Sequence, residues 1–355
     1  MKTIQIISDL RLAGGQIMCE NLSCELQRQG ESVKIVSLYS LDSPIVERLR
    51  ENNIEVIFLD KKSGLDISII WKLRRILKKE KPDIIHTHLN AFLYLTLAKL
   101  GMKTGKIVHT FHSVAYRESL ASMPKFIRNT IKRGKATPVA LSDTVQQSIS
   151  EMYGLSRESI PVVLNGLDLK KCQPKVTYSI GNEFNILHIG RFSSEKNHAG
   201  LIRSFKIFHT KYPSSRLCLI GDGALRGEVE ELVRDEGLSD SVDFMGKQGN
   251  VYPYLNRADV FILPSLVEGI PITLIEAMGT GLPIVATRVG GIPDMIQHDE
   301  NGLLCEVDDA QIAACLERYY LDEELRQKHG WEALKGADRF SSVRMAKGYL
   351  EVYRA

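Results

Sequence analysis

The sequence predicts an α/β fold of two domains, each built on a parallel sheet with helices on both faces. Three observations predict it. The chain has 355 residues, which is too long for one ordinary domain and suits two of about 150–200 residues each. Short runs of β-branched residues alternate with helical patterns almost from end to end. The strand runs are nearly continuously apolar, as expected of parallel strands that are buried on both sides.

The N-terminal half contains the first set of alternating elements. Its predicted strands are Thr3–Ser8, Val33–Tyr39, Glu55–Leu59, Asp83–His88, Lys106–His112 and Pro138–Leu141. The helices predicted between them are Gln16–Gln29, Asp66–Lys79, Ala91–Leu100 and Ser142–Tyr153.

The alternation then starts again. The second set of predicted strands is Phe184–Gly190, Arg216–Gly221, Val242–Gly246, Asp259–Pro264, Pro283–Thr287 and Leu303–Glu306. The predicted domains are residues 1–168 and 169–338, joined near Pro174 and Gly181, and residues 339–355 are predicted to form a helix that returns to the first domain. The domains are expected to face each other across a cleft, with ligands beyond the carboxyl ends of the strands.

The composition, with 44% hydrophobic and 25% charged residues, is that of a folded protein. The apolar run at the N-terminus is too short for a secretion signal and is followed by Asp9 and Arg11, so it is interpreted as a strand. No stretch approaches the ~18 apolar residues that span a bilayer, so a cytoplasmic protein is expected. The six cysteines form no C-x-x-C pair, which argues against a zinc site or a disulfide framework.

The net charge of +3 hides an asymmetry. Residues 1–165 contain 24 Lys and Arg against 16 Asp and Glu, and the remainder contains 22 against 27. A basic first half is expected to meet something anionic. Nucleic acid is disfavoured, since neither an aromatic-interleaved platform nor a helix-turn-helix pattern accompanies the charge. A phosphate-bearing acceptor or an anionic membrane surface fits better.

Two basic segments are the predicted membrane contacts. Ser122–Lys135 has apolar residues on one helical side with cations around them, which is typical of an interfacial helix. The run Lys72–Lys81 adds to the same charge. An ordinary surface helix is the alternative, so peripheral association with the inner face of a plasma membrane is an expectation only.

The most informative stretch runs from Ser265 to Ile296. A polar loop there follows a strand and leads into a helix predicted from about Pro271 to Gly279. Because the first amide groups of a helix are free and its dipole is positive there, this loop forms an anion site. The amide groups expected to point into it belong to Gly269, Ile270, Ile272 and Thr273.

Two carboxylates bracket the start of that helix. Glu268 precedes it and Glu276 lies within it, with seven residues between them. Glu276 is surrounded by apolar and small residues, where an unpaired charge is expensive, and a carboxylate suits vicinal hydroxyls such as those of a ribose. Arg191 and Lys196 leave another strand end, and a guanidinium with an ammonium group is what a diphosphate needs.

These residues carry a resemblance to a known family. The pair Arg191 and Lys196, the Gly-Asp-Gly at 221–223, the Glu-x7-Glu of Glu268 and Glu276, and the trailing GLPIVAT and GGIPD resemble glycosyltransferase family four. The resemblance runs over nearly the whole chain. It implies the GT-B fold, in which two Rossmann-like domains face a cleft, and a retaining enzyme that takes sugar from a nucleotide diphosphate.

The resemblance also implies roles for single residues. Arg191 and Lys196 match the pair that binds the donor diphosphate, Glu268 matches the carboxylate near the transferred sugar, and Glu276 matches the one on the ribose. The segment containing Gly246 and Lys247 matches the region against the nucleobase. Sugar and phosphate contacts match Gly269, Ile270, Pro271, Ile272 and Thr273.

In the first domain, Gly14 and Gly15 follow the first strand and match a loop that closes on the donor phosphate and the acceptor. His112 ends a strand and matches a histidine close to the sugar, whereas His109 is expected to be buried. His86 and His88 are interpreted as structural, since no acidic third ligand stands near them.

The expected chemistry needs no metal or other cofactor. No Asp-x-Asp motif occurs, and Arg191, Lys196 and a helix N-terminus can stabilise the leaving diphosphate. The expected donor is a UDP-sugar, and the expected acceptor is a glycan or a lipid-linked glycan of a surface polysaccharide. The alternatives are a nucleotide-sugar 2-epimerase of the same fold and a non-catalytic nucleotide-sugar-binding regulator.

Overall fold

The computed structural model describes residues 1–116 and 125–355, with side chains left undescribed for residues 125–127. The chain forms two compact units. Unit 1 contains residues 1–167 together with 340–355, and unit 2 contains residues 168–339. Each unit carries one sheet.

Unit 1 contains six parallel strands: β1 Lys2–Ile7, β2 Ser32–Ser37, β3 Glu55–Phe58, β4 Ile84–His88, β5 Lys106–Phe111 and β6 Thr137–Ala140. Its helices in the described ranges are α1 Gly14–Arg28, α2 Pro44–Glu51, α3 Ser68–Glu80, α4 Ala91–Ala98, α5 Lys125–Lys132, α6 Asp143–Tyr153 and, after unit 2, α14 Ser342–Arg354. The strand order is β3-β2-β1-β4-β5-β6.

Unit 2 repeats this arrangement. Its strands are β7 Phe184–Ile189, β8 Ser215–Ile220, β9 Val242–Gly246, β10 Val260–Leu263, β11 Ile284–Thr287 and β12 Leu303–Cys305, in the order β12-β11-β10-β7-β8-β9. Its helices are α7 His198–Lys211, α8 Arg226–Asp235, α9 Tyr252–Arg257, α10 Ile272–Gly279, α11 Ile292–Met295, α12 Asp309–Leu321 and α13 Glu323–Ala337. Two six-stranded parallel sheets flanked by helices confirm the predicted fold class.

Alternation along β1 explains why helices cover the unit 1 sheet on both sides. Ile4 and Ile6 belong to the core that α3, α4 and α6 share, and Ile7 belongs to a second core with α1 and α2. Successive side chains of a strand point to opposite faces. Ile4, Ile6 and Ile7 are therefore all apolar, because this strand contributes to a core on each face of the sheet.

Several helices begin where the sequence supplies a side-chain cap. The hydroxyl of Ser142 accepts a hydrogen bond from the amide of Val145 at the start of α6, and Ser341 does the same for α14. Such caps satisfy amide groups that have no partner inside the helix. Among the described helices, none combines the length and apolar content that spanning a membrane requires.

The basic segment Ser122–Lys135 falls partly outside the described residues. Its first three residues are not described, and α5 covers Lys125–Lys132 as backbone. Among the described side chains, Ile131 is buried and Lys132, Arg133 and Lys135 are exposed.

Candidate active site

The topology of unit 2 places two loops side by side. Strands β7 and β10 are neighbours in the sheet. From β7 the chain continues to β8, toward one edge of the sheet, and from β10 it continues to β11, toward the other edge. Ligands of such sheets bind beyond the carboxyl ends of the strands at this switch point. The loop after β7, residues 190–197, and the loop after β10, residues 264–271, start from these two ends.

Lys196 and Glu268 join the two loops. Nζ of Lys196 lies 2.5 Å from Oε1 of Glu268, and the hydroxyl of Ser265 donates to the same oxygen at 2.6 Å. The side chains are 21% and 9% exposed, respectively, so the pair is largely withdrawn from water yet still reachable. The structure therefore brings together two of the predicted catalytic residues, separated by 72 positions in the chain.

Backbone hydrogen bonds hold the loops in this position. The amide of Leu266 donates to the carbonyl of Glu195 at 2.7 Å, and the side-chain amide of Asn197 donates to the carbonyl of Pro264 at 3.1 Å. Asn197 adopts a positive φ of 53° and also caps α7 through Gly200. Asn tolerates this conformation better than most residues. Lys196 is thus fixed between a strand end and a helix cap.

Helix α10 presents its N-terminus in the second loop. Pro271 occupies the position before the first helical residue, with extended backbone, so the helix begins one residue later than the sequence predicts. The amides of Ile272 and Thr273 donate to no group in the described ranges. The hydroxyl oxygen of Thr273 is buried and also has no partner there. These unsatisfied donors are suited to an anion.

Three glycines allow neighbouring loops to approach the site. A Cβ at Gly290 would lie 1.9 Å from the carbonyl oxygen of Glu268, and one at Gly291 would lie 2.4 Å from that of Gly269. A Cβ at Gly221 would lie 1.9 Å from the carbonyl oxygen of Gly190. The motifs GDG and GGIPD therefore act through close backbone contact with the two site loops.

Arg191 begins the loop that ends in Lys196. Its side chain is exposed and forms no ion pair with any described residue. The predicted nucleobase region lies after β9, where Gly246 has a φ of 65° and accepts a hydrogen bond from the amide of Gly221 at 2.9 Å. Lys247 is exposed, and the guanidinium of Arg226 lies 6.0 Å from the ring of Phe244.

Glu276 belongs to a separate group on α10. It is 8% exposed and lies near Cys172 and Tyr252. Burial and, second, the charge of Glu276 raise the pKa of the Cys172 thiol to about 12. The same two causes raise the pKa of Tyr252 above its ordinary value. Cys172 and Tyr252 therefore stay protonated near the carboxylate, and their side chains form a hydrogen bond with each other.

Two histidines lie beneath the first loop. The imidazole of His198 stacks on Phe192 with ring centroids 4.0 Å apart, and His188 meets it edge to face at 4.8 Å. Burial lowers the pKa of His198 to about 4, with the charge of Lys196 as the second cause, and burial lowers the pKa of His188 well below its ordinary value. Both imidazoles are neutral, so the positive charge near Glu268 comes from Lys196.

In unit 1, the predicted glycines and histidine also meet. A Cβ at Gly15 would lie 3.2 Å from Nδ1 of His112, and Gly14 begins α1 with open space around its Cα. His112 directly follows β5, and its Nε2 lies 3.1 Å from Nδ1 of His88. His109 is fully buried, as expected.

Sequence reasoning missed three contributors. Ser265 and Thr287 support Glu268, since Ser265 donates to its carboxylate and Thr287 donates to the carbonyl of Ser265 at 2.6 Å. Both are polar residues at the end of an apolar strand, and that signal could have found them. His88 contacts His112. The sequence shows that His86 and His88 occupy alternate positions of a strand, but it does not indicate which residue of a neighbouring strand His88 contacts.

The comparisons with known proteins identify the family to which the chain belongs. The family model "Glycosyltransferase Family 4" matches residues 12–171, and "Glycosyl transferases group 1" matches residues 173–335. N-acetyl-alpha-D-glucosaminyl L-malate synthase of Bacillus anthracis is 31% identical over 303 residues, which cover 81% of this chain and 78% of that protein. The chain belongs to glycosyltransferase family 4.

Further similarities to other glycosyltransferases support this membership. The UDP-Gal:alpha-D-GlcNAc-diphosphoundecaprenol alpha-1,3-galactosyltransferase of Escherichia coli is 28% identical over 263 residues, covering 69% of this chain and 67% of that protein. The structure of Anabaena Alr3699/HepE in complex with UDP and glucose superposes with a TM-score of 0.85 at 18% identity, covering 100% of both chains. The fold is GT-B, and the protein is a transferase enzyme. Membership of a transferase family argues against the two alternatives considered above, an epimerase and a non-catalytic regulator.

Proposed function

We propose that this family 4 glycosyltransferase moves a sugar from a UDP-sugar to a glycan or lipid-linked acceptor, with retention of configuration and without a metal ion. One observation carries the proposal. Lys196 and Glu268 are joined beside a helix N-terminus at which the amides of Ile272 and Thr273 and the Thr273 hydroxyl have no partner among the described residues. A sugar diphosphate requires a cation and hydrogen-bond donors for its phosphates. It also requires a carboxylate that accepts hydrogen bonds from the sugar hydroxyls.

Lys196, Arg191 and the start of α10 are assigned to the diphosphate. When the bond between the sugar C1 and the diphosphate oxygen breaks, its electron pair stays on the leaving diphosphate. Preorganised positive groups stabilise that charge in the transition state. Such groups can take the place of a divalent ion, which is the basis for proposing that no metal is required.

Glu268 is assigned to hydroxyl groups of the transferred sugar. Its Oε1 already receives hydrogen bonds from Lys196 and Ser265, and such bonds stabilise the carboxylate and weaken it as a nucleophile. We therefore propose same-face attack. The acceptor oxygen bonds to C1 while the leaving diphosphate oxygen takes the acceptor's proton, so no covalent sugar–enzyme adduct forms.

The relatives support UDP and leave the acceptor open. UDP is bound in the Anabaena structure, and the Escherichia coli relative is named for UDP-Gal and a diphosphoundecaprenol acceptor. The Bacillus anthracis relative is named for L-malate. A glycan or lipid-linked acceptor in surface polysaccharide synthesis is our proposal, and a small hydroxy acid is the outcome that would replace it.

The donor is tested by thermal unfolding with UDP, GDP, ADP and UDP-sugars. A true ligand stabilises by mass action, so UDP and one UDP-sugar should raise the melting temperature more than the other nucleotides. Slow hydrolysis of that UDP-sugar without acceptor should persist in excess EDTA. Loss of turnover on chelation, restored by Mg²⁺ or Mn²⁺, would contradict the metal-independent mechanism.

The stereochemistry is tested by following the product anomer by NMR. Retention is the expected result, and an inverted product would rule out the proposed path. Incubation of Glu268→Gln and wild type with a 2-fluoro donor, followed by intact mass measurement, tests for an adduct. A stable glycosyl mass on wild type alone would show that Glu268 is a nucleophile.

The basic unit 1 is proposed to bind an anionic membrane through α3. Trp71 and Ile67 are 69% and 61% exposed, and Arg75 and Lys78 lie on the same helical face as Trp71. Neither cation forms an ion pair with a described residue. An exposed aromatic and aliphatic pair beside unpaired cations is typical of an interfacial helix.

Tryptophan fluorescence tests this contact sharply, because the chain has two tryptophans, Trp71 and Trp331. Vesicles with phosphatidylglycerol should shift the emission of Trp331→Phe, which retains Trp71, to shorter wavelength. The matched variant Trp71→Phe should show no shift, and added salt should weaken binding. An emission shift in Trp71→Phe, which retains Trp331, would refute the assignment. A shift in Trp331→Phe that added salt does not weaken would also refute it.

A further inference from the structure

An arginine of unit 2 lies at the carboxyl ends of two strands that the proposed reaction has not yet used. Arg226 is the first residue of α8, which follows β8, and Gly246 is the last residue of β9. A Cβ at Gly246 would lie 3.7 Å from Nη1 of Arg226, so the guanidinium lies against the backbone at the end of β9. Because the strands are parallel, this is the same edge of the sheet at which the loops of Lys196 and Glu268 lie.

The strand order relates this arginine to the proposed diphosphate site. Strand β8 is the neighbour of β7, and β9 is the neighbour of β8. Neighbouring strands are about 4.8 Å apart, so the end of β9 lies about 10 Å across the sheet from the end of β7. A nucleoside diphosphate is long enough to place its phosphates at Lys196, after β7, and its base at the end of β9. The family resemblance also implies that the nucleobase lies against the segment of Gly246 and Lys247.

Two contacts hold the guanidinium in this position. Its Nε donates to Oε1 of Glu230, one helical turn further along α8, at 2.7 Å, and its Cζ lies 6.0 Å from the ring centre of Phe244. The two terminal nitrogens of Arg226 have no hydrogen-bond partner within residues 1–116 and 125–355. The side chain is 32% exposed. Arg226 is therefore fixed along its Nε edge, and its terminal N–H groups are available to a ligand.

The chemistry of a guanidinium decides which bases it favours. It has N–H donors and no acceptor. Uracil has two ring carbonyl oxygens, whereas cytosine has an amino group in place of one of them, and adenine has an amino group and no carbonyl oxygen. A charged donor forms strong hydrogen bonds with a carbonyl oxygen, and an amino group at the same place would oppose donor to donor. A guanidinium beside the base therefore favours uracil.

We infer that Arg226 is a specificity-determining residue, which donates from its terminal nitrogens to a carbonyl oxygen of the donor's base and selects uracil over cytosine and adenine. This inference rests on the proposed UDP-sugar donor and names the side chain that recognises its base. Glu230 is the positioning residue for this guanidinium, because it holds the Nε edge. Lys196 and the start of α10 are assigned to the diphosphate, which all nucleoside diphosphates share, so they cannot make this selection.

The test is calorimetric titration of the whole enzyme with UDP, CDP and ADP. Arg226→Met keeps a long apolar side chain and removes the donors. Its affinity for UDP should fall about tenfold or more, with much smaller losses for CDP and ADP, so the preference for UDP over CDP should largely disappear. Glu230→Ala should lower the same preference by less than Arg226→Met does. The matched control is Arg234→Met, which removes an exposed cation about 12 Å further along the same helix and should leave all three affinities unchanged.

The outcomes separate this inference from the proposed function. Equal losses of affinity for UDP, CDP and ADP in Arg226→Met would show that the guanidinium acts on the phosphates, and would overturn the inference. A preference for UDP that persists in Arg226→Met would overturn it as well, while leaving the UDP-sugar donor in place. Wild-type enzyme that binds CDP or ADP more tightly than UDP would refute the proposed donor itself.

Discussion

At the scale of single residues, Lys196 is the cation on which the proposed donor site depends. Its Nζ is paired with Glu268, and its side-chain stem passes Gly190, where a Cβ would lie 3.4 Å from the Lys196 Cδ. The two histidines nearest the loop are neutral, so they cannot replace the charge. Arg191 is exposed at the start of the same loop and forms no ion pair with the described residues, which leaves its guanidinium available to an anion.

Lys196→Ala should lower kcat and kcat/KM together, by about 10²–10³-fold, because charge stabilisation is lost chiefly in the transition state. Steady-state kinetics with the UDP-sugar found by thermal unfolding measures this. The control Arg203→Ala removes a cation from the same region, one that forms a half-exposed ion pair with Asp309 at 2.5 Å, and should leave kcat/KM within about twofold of wild type. A Lys196→Ala enzyme within threefold of wild type would remove the basis of the proposed mechanism.

At the scale of elements, glycine residues allow the loops that follow the strands to pack backbone against backbone, and this packing positions the candidate site residues. Gly290 has a φ of 54°, and a Cβ there would lie 1.9 Å from the carbonyl oxygen of Glu268. No side-chain rotation relieves a clash with a backbone atom. The turn after β11 therefore restricts the position of the loop that contains Glu268.

Gly290→Ala should lower the free energy of unfolding by more than the backbone cost of a left-handed alanine, which is about 1–2 kcal/mol, and should weaken UDP binding. The matched control is Gly237→Ala in the same unit, where φ is 67° and a Cβ would meet nothing within 4 Å. Gly237→Ala isolates the backbone term and should leave UDP affinity unchanged. Equal losses of stability in the two variants, measured by chemical denaturation, would show that the contact with Glu268 is unimportant.

At the scale of the whole molecule, both units contain neutral histidines in their interiors. Burial lowers the pKa of His86, His88 and His188 well below the ordinary value, and that of His198 to about 4. The unfolded chain binds protons at these side chains below about pH 6.5, whereas the folded chain does not. The folded state is therefore most stable, with respect to these histidines, above about pH 6.5. That stability is lost as the pH falls from this value toward the lower pKa values of the folded protein.

The free energy of unfolding should consequently fall between about pH 7 and about pH 5, by up to about 1.4 kcal/mol per pH unit for each buried histidine. Urea denaturation across this range measures the slope. His198→Leu should reduce the slope, whatever it does to the absolute stability. Ile202→Val, which removes a buried methyl group from the same helix and no titratable group, should leave the slope as it is in wild type. A slope that His198→Leu does not change would mean that His198 is protonated in the folded protein.

The sequence by itself determined the fold class, the positions of nearly all strands and the family, because apolar strand patterns and motif spacing are local properties. It also indicated Lys196 and Glu268 as candidates, since both follow strands. Only the tertiary structure decided that they meet, that Ser265 donates a hydrogen bond to Glu268, and that His88 contacts His112. Those pairings depend on which strands are neighbours in the sheet, and residues that are 24 or 72 positions apart carry no local signal of contact. The physical reason is that the order β12-β11-β10-β7-β8-β9 places β7 beside β10, and strand order is a property of the packed sheet.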